Sequence, residues 1–128
     1  MKKFVTLLLC MLPISLFAQV NDGIRQAMDN YDYETVVTLI EPDCQDSLLL
    51  ITKAQALKAM NRYPEAIGVL NSLILKDSTN TKVLIDLAEC YKLTGNSRRA
   101  ANCYQKAMNL QPENKFFRLQ FIRSLLAS

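Results

Sequence analysis

The sequence predicts an all-α fold, a short solenoid of antiparallel helix pairs with about seven helices in a chain of 128 residues. Apolar residues recur three and four positions apart, which is the spacing of one helix face, and no alternating pattern typical of a strand competes with it. The pattern repeats with a period of 34 residues, a length typical of helix-pair arrays. Because one helix pair cannot bury its own apolar face, the core is expected to run through stacked pairs.

The clearest unit is residues 81–114, which reads as two helices joined by a turn. Leu84, Leu87 and Tyr91 form an apolar stripe at helical spacing on the first helix. Gly95 lies between the helices, where a glycine can adopt the left-handed conformation that ends a helix. The other landmarks are small residues where the helices pass closely, a continued stripe and a terminating proline, at Ala88, Ala100, Tyr104, Ala107 and Pro112.

The same landmarks recur one period earlier, in residues 47–80. Asp46, Asn80 and Asn114 form a further series with the 34-residue period, and each is a good N-cap just before a predicted helix. The positions that recur identically are Leu50, Ile51, Ala54, Lys58, Ala66 and Asn80, which match Leu84, Ile85, Ala88, Lys92, Ala100 and Asn114. Caps, small residues and apolar stripes that keep one period together indicate a true repeat.

These landmarks resemble the tetratricopeptide repeat family, whose 34-residue unit runs W-x₂-L-G-x₂-Y…A-x₃-F…P. The residues that carry the resemblance in the best unit are Leu84, Leu87, Ala88, Tyr91, Ala100, Tyr104, Ala107 and Pro112. Leu84 stands at the family's tryptophan and Ala88 at its glycine, while Lys53 and Ser78 replace a leucine and a proline in the looser unit 47–80. The resemblance implies a right-handed solenoid that acts in protein–protein interaction or assembly, without catalysis and without a cofactor.

The segments outside these two units are predicted to cover the ends of the array. Residues 19–46 are predicted to form a degenerate hairpin or cap, since the start of its second helix lies three residues short of the period. Residues 115–128 are predicted to form a lone capping helix, because the bulky Ile122 stands where Ala88 does and leaves no room for a close second helix. The alternative is that further repeats were lost or lie in another chain. The predicted helices are residues 20–29, 33–41, 47–60, 63–75, 81–93, 97–109 and 115–126.

Residues 1–18 are predicted to be a secretory signal peptide. Two lysines precede an apolar run at residues 4–17, which is shorter than the roughly 20 residues of a spanning helix and predicts no stable membrane insertion after cleavage. Cleavage after Ala18 leaves residues 19–128 as an exported, periplasmic or cell-envelope domain. Cys10 gives a faint likeness to a lipoprotein site, but it lies in the middle of the apolar run, so lipidation is not expected.

Composition excludes several classes of site. The chain has no histidine, which excludes a Ser-His-Asp or Cys-His catalytic site and removes the commonest zinc ligand. The mature chain has 13 basic and 12 acidic residues, so a nucleic acid partner is not expected. Charge is nevertheless uneven, with one basic and seven acidic residues in 19–46 against eight basic and three acidic residues in 81–128. Cys44, Cys90 and Cys103 form no CxxC pattern, and the last two are expected to be small buried residues within helices.

The resemblance places the first helix of each pair on the concave side of the array, where a partner is expected to bind. If the apolar stripe of each first helix faces its second helix, helical spacing gives the residues turned to the concave side. They predict an apolar floor with basic flanks, suited to an extended or helical peptide with an apolar anchor and an acidic group. The predicted partner-binding residues are Ile51, Gln55, Lys58, Lys82, Ile85, Glu89, Lys92, Phe116, Leu119 and Arg123, with Leu48 beside them. The grip on a C-terminal carboxylate that some relatives use is not expected, because Ile51 and Ile85 occupy its polar positions.

Three hypotheses of function follow. The first is an adaptor that holds a protein or peptide partner in an envelope or periplasmic complex. The second is a structural protein that self-associates into a homo-oligomer through its acidic N-terminal and basic C-terminal halves. The third is a redox or metal role for the three cysteines, although no metal is expected from their spacing.

Overall fold

The structure is a computed structural model that describes residues 18–128. Residues 1–17 lie outside the described residues. They include Cys10, on which the lipoprotein alternative rests, and nearly all of the predicted signal peptide. Across residues 18–128 no helix is both long enough and apolar enough to cross a membrane.

The described residues form seven helices and no strand, which confirms the predicted all-α fold. The observed helix ends lie within about two residues of the predicted ones. The residues that end these helices act on their immediate neighbours in the sequence, so the sequence alone indicates the ends. The helices are α1 (18–29), α2 (Tyr33–Leu39), α3 (Ser47–Ala59), α4 (Tyr63–Lys76), α5 (Thr81–Leu93), α6 (Ser97–Leu110) and α7 (Lys115–Ala127). The shortest is α2, which has 7 residues where its counterparts α4 and α6 have 14 each.

The three predicted N-caps are confirmed. Asp46 Oδ1 accepts hydrogen bonds from the backbone N–H groups of Leu48 and Leu49. Asn80 Oδ1 accepts one from the N–H of Val83, and Asn114 Oδ1 accepts from the first turn of α7 in the same way. Each cap satisfies N–H groups that have no partner within the helix, and so fixes where α3, α5 and α7 begin.

The turns within the three helix pairs share one backbone conformation. Tyr31, Asn61 and Gly95 all have positive φ, at 59°, 60° and 79°. At Gly95 the N–H donates to the carbonyl of Lys92, and the next N–H donates to the carbonyl of Tyr91. The same two bonds recur at Tyr31 and Asn61. All three are therefore Schellman turns, and the first hairpin closes as the regular ones do although its sequence is off the period.

The core runs through the stacked pairs, as predicted. Ala88 and Ala100 are completely buried where α5 crosses α6, so the small side chains allow a close approach. From α2 onward, each helix packs mainly against its neighbours in the sequence, and α7 packs against α6 at the end. The largest fully buried side chains are Tyr104, Leu57, Leu70, Leu84, Val36, Val83 and Cys90. The predicted division into cap, two repeats and terminal helix stays a prediction.

Candidate partner-binding face

Side-chain hydrogen bonds join the first helices of neighbouring pairs. Lys58 Nζ of α3 donates to Asp86 Oδ1 at 3.2 Å and to Glu89 Oε2 at 2.9 Å, both on α5. One period later, Lys92 Nζ of α5 donates to Gln120 Oε1 of α7 at 3.3 Å. We call the surface formed by α1, α3, α5 and α7 the first-helix face. Two of its predicted partner-binding residues, Lys58 and Glu89, are thus bound to each other.

The Lys58 cluster, which consists of Lys58, Asp86 and Glu89, carries a local net charge of −1. Burial of the ammonium group favours the neutral amine, but the hydrogen bond that Lys58 donates to Glu89 and the charge of Asp86 outweigh it, so the pKa of Lys58 is raised. The side chains of Lys58 and Asp86 are about a fifth exposed, at 21% and 19%. Lys58 is therefore not available to a partner as a free cation, contrary to the prediction of a basic edge at this position.

Three other cations of the predicted site remain free of carboxylates. Lys82, Lys92 and Arg123 are exposed, and none of them forms an ion pair with any residue between 18 and 128. Lys92 differs from Lys58 because Gln120 stands where Asp86 does one period earlier, and a neutral amide leaves the ammonium charge uncompensated. The basic flank predicted for this face therefore lies toward α5 and α7.

The predicted apolar floor is only half available. Ile51 and Ile85 are partly buried and pack against the main core, so a good part of each side chain supports the fold. Gln55 is exposed, while Phe116 and Leu119 of α7 are about half exposed. The floor therefore offers a partner the outer part of two isoleucines and does not form a continuous apolar strip.

A cleft of about 450 Å³ lies between α1 and α3 on the first-helix face. Leu48, Leu49, Ile24 and Met28 supply its apolar walls, and the buried Oδ1 of Asn21 finds no donor among the described residues. Polar groups surround the apolar walls, so the cleft has the composition typical of a pocket for a small ligand. These polar lining residues are Arg25, Asp29, Asp46, Thr52 and Gln55. Helical spacing predicted Leu48 and Gln55 on this face, but it gave no sign of the α1 residues, because the first hairpin does not keep the 34-residue period.

Cys44, Cys90 and Cys103 are free thiols in the structure. Cys90 is completely buried and Cys103 is nearly so, as predicted. Burial raises the pKa of the Cys90 thiol and raises the pKa of Cys103 to about 11, which disfavours the reactive thiolate form of both side chains. Cys44 is partly buried, and none of these three cysteines forms a disulfide. Between residues 18 and 128 no group of three potential ligands is placed to hold a metal ion.

Comparison with known proteins identifies the repeat. The family model described as Tetratricopeptide repeat matches residues 57–120, which is half of the chain. A curated relative, the DnaJ homolog subfamily C member 7 homolog of Dictyostelium discoideum, is 35% identical over 86 residues. That match covers 66% of this chain and 16% of the relative, so this chain spans about a sixth of the relative's length.

Several solved structures share the fold. The TPR domain of Arabidopsis OM64 superposes with a TM-score of 0.70 at 16% identity, covering 87% of this chain and 95% of that domain. The TPR2B domain of yeast Sti1, solved in a pHsp70 complex, gives 0.70 at 16% identity, with 87% and 97% covered. The Yersinia enterocolitica type III secretion chaperone SycD, solved with a peptide of the translocator YopD, gives 0.65 at 19% identity, with 88% and 89% covered.

Proposed function

The chain belongs to the tetratricopeptide repeat family, and from that premise we propose that it is a non-enzymatic interaction module that binds a peptide or protein segment on its first-helix face. The family resemblance implies that this face is the concave side of the solenoid, where a partner would contact several repeats at once. Two solved relatives, the Sti1 domain and SycD, are seen in complexes with a partner or a peptide of one. Those complexes support the proposal that this fold serves to bind a protein or peptide. They do not name a partner for this chain.

The observation that carries the proposal is the polarity of the first-helix face. Its N-terminal end holds the α1–α3 cleft with exposed Leu48. Its C-terminal end exposes Lys82, Lys92 and Arg123, which have no carboxylate partner among residues 18–128. The Lys58 cluster lies between these ends. An extended segment with an apolar side chain at one end and acidic groups at the other matches this order.

The experiment is a selection of peptides on the purified chain, followed by mapping of the bound peptide by backbone NMR. We expect selected peptides to carry an apolar residue beside acidic residues, and to shift signals near Leu48, Gln55 and Lys82. Leu48→Glu places a charge at the cleft in the first turn of α3, where an acidic residue is compatible with the helix. It should weaken binding at least about tenfold, because a buried leucine contributes about 1.5 kcal/mol or more.

The matched control is Leu75→Glu, which makes the same change at an exposed leucine on α4, outside the first-helix face. It should leave binding unchanged. Glutamate at Ile51 or Ile85 is a poorer test, since both side chains also pack against the core. Shifts that cluster on α4 and α6, or equal binding by the Leu48 and Leu75 variants, would show that the proposed face is wrong.

We also propose that the chain is exported and acts in the periplasm or cell envelope, on the basis of the N-terminal pattern of two lysines and an apolar run. N-terminal sequencing of the protein from fractionated cells tests this. A chain that begins at Gln19 in the envelope or periplasmic fraction is expected, and a chain that keeps residues 1–18 in the cytosol contradicts the proposal.

A second candidate function is self-association through unlike charges. The acidic residues Asp29 and Glu41 are exposed near one end of the array, while Lys115 and Arg118 are exposed at the other. Stacking of copies through these ends would be favoured at low salt and screened at high salt. Sedimentation velocity at about 20 mM and about 500 mM salt separates the cases, since a monomer at low salt and high protein concentration leaves the candidate without support.

A further inference from the structure

The last helix has an inverted pattern of burial. Phe117, Gln120 and Ser124 of α7 are buried against the preceding pair, although two of them are polar. The outer side is apolar: Phe116, Leu119, Ile122 and Leu125 are each between 45% and 50% exposed, and Leu126 is 82% exposed. At 3.6 residues per turn, the three residues that lie opposite the buried side form one seam. We call this the α7 seam, and it consists of Leu119, Ile122 and Leu126.

The corresponding side of α5 is covered by a helix. Ala88 and Tyr91 of α5 are buried where α6 crosses, and the residues 34 positions later are Ile122 and Leu125. Part of the outer side of α7 thus occupies the place at which this fold receives a second helix. Because Ile122 is larger than Ala88, a helix that docks here would lie farther from α7 than α6 does from α5.

The two ends of the array are not equivalent. The outward residues of α1 are polar and exposed, namely Asp22, Arg25, Gln26 and Asp29. Polar outer faces are what keep the ends of a solenoid soluble. The α7 seam has the opposite character, and an apolar stripe of this kind on a solvent-facing helix marks an interaction surface.

The charges around the α7 seam select the covering molecule. Lys115, Arg118 and Arg123 flank the seam, and the helix Lys115–Ala127 contains no acidic residue. None of these cations forms an ion pair with any residue of the described chain. We propose that the α7 seam docks an amphipathic helix of a partner protein, one whose apolar stripe is flanked by acidic residues.

A second copy of this chain fits the seam less well. Antiparallel packing of α7 on α7 would join two apolar seams, but it would bring the cations of both copies to the same edges. Head-to-tail stacking would match the charges, yet it would set the apolar seam against the polar outer side of α1. Only a helix that is apolar in the middle and acidic at its edges satisfies both requirements.

The test uses a designed, end-blocked 18-residue helical peptide with leucines at heptad spacing and glutamates on both flanks, labelled for fluorescence anisotropy. A second peptide replaces every glutamate by lysine. The 128-residue chain is expected to bind the acidic peptide at least about tenfold more tightly than the basic one, and the difference should shrink as salt is raised. Leu126→Gln should weaken binding of the acidic peptide about tenfold, because it removes an apolar contact from the seam.

The control is Leu75→Gln, since Leu75 on α4 is 89% exposed and the same substitution there should change neither folding nor binding. Equal binding of both peptides, no binding of either, or equal loss in the two variants would overturn the proposal. Dimerisation of the free chain that Leu126→Gln abolishes would also overturn it. So would flotation of the chain with vesicles that contain anionic lipid, if the chain does not bind the acidic peptide. The α7 seam and its flank share Leu119 and Arg123 with the first-helix face, whereas Leu48 lies on α3 and outside the seam. The Leu48→Glu variant should therefore still bind the acidic helix, so failure of the seam and failure of the α1–α3 cleft can be told apart.

Discussion

Replacing Lys58 by methionine should destabilise the fold, because it leaves two carboxylates of α5 without their cation. Methionine keeps most of the apolar stem, so the change acts mainly on charge. Breaking a fully buried ion pair costs about 3–5 kcal/mol, whereas an exposed pair contributes about 0.2–1 kcal/mol. Lys58 and Asp86 are about a fifth exposed, at 21% and 19%, and Glu89 is 45% exposed, which places this cluster between the two limits. We expect Lys58→Met to lower the free energy of unfolding by about 2 kcal/mol at pH 7.

The assay is urea unfolding followed by circular dichroism, applied to a double-mutant cycle with Asp86→Asn. The double variant should lose at least about 1 kcal/mol less than the sum of the single losses, since each single change removes the same contact. The control is Lys92→Met, the equivalent position one period later, where the partner is the neutral Gln120 and the expected loss is below about 0.5 kcal/mol. A Lys58→Met loss no larger than that of Lys92→Met, or simple additivity in the cycle, would refute the reasoning.

Three further predictions concern the fold. Gly95→Ala should lower the free energy of unfolding by about 1 kcal/mol, because Gly95 has a φ of 79°. Gly68→Ala in the middle of α4, where an added Cβ meets nothing, should raise it by about 0.5–1 kcal/mol. Shifts of the thermal midpoint in opposite directions check both. Asn114→Ala should cost about 1 kcal/mol by removing the cap of α7, and an unchanged urea midpoint would contradict it. Burial raises the pKa of Cys103 to about 11, so the unfolded chain releases this proton at lower pH than the folded chain does. The contribution of this thiol to the free energy of unfolding is therefore fully present below about pH 9 and is lost as pH rises through 11. Cys103→Ala should therefore lose about 2 kcal/mol less than the parent between pH 8 and pH 11 in urea unfolding, and equal losses would count against the assignment.

The helices were predictable because their ends depend on local chemistry. Asp46, Asn80 and Asn114 cap helices through hydrogen bonds within four residues, and Gly95 ends one through its own backbone. A short stretch of sequence therefore contains every residue that each of these signals needs. The buried pair Ala88 and Ala100 was predictable for a different reason, because the same residue type recurs at the equivalent positions one period earlier.

The candidate site was less predictable because its features depend on side chains from different helices. Lys58 and Asp86 are 28 residues apart, and they meet only because the fold brings α3 next to α5 at this point. The α1–α3 cleft was missed because the first hairpin is off the period. The inverted burial of Gln120 and Ser124 was also missed, since hydrophobicity alone favours burying Ile122 and Leu125 instead.

The order in which the helices contact one another has a consequence for how the chain comes apart. Each helix touches chiefly its neighbours in the sequence, so few contacts close long loops. Such an array is expected to fold quickly and to lose its terminal helices in separate steps before the middle opens. α7 is held mainly by α6, so it can separate from the array without disturbing the helices before α6. A molecule bound along α7 would therefore slow the loss of amide protection throughout the C-terminal half, because opening from that end would first require its release.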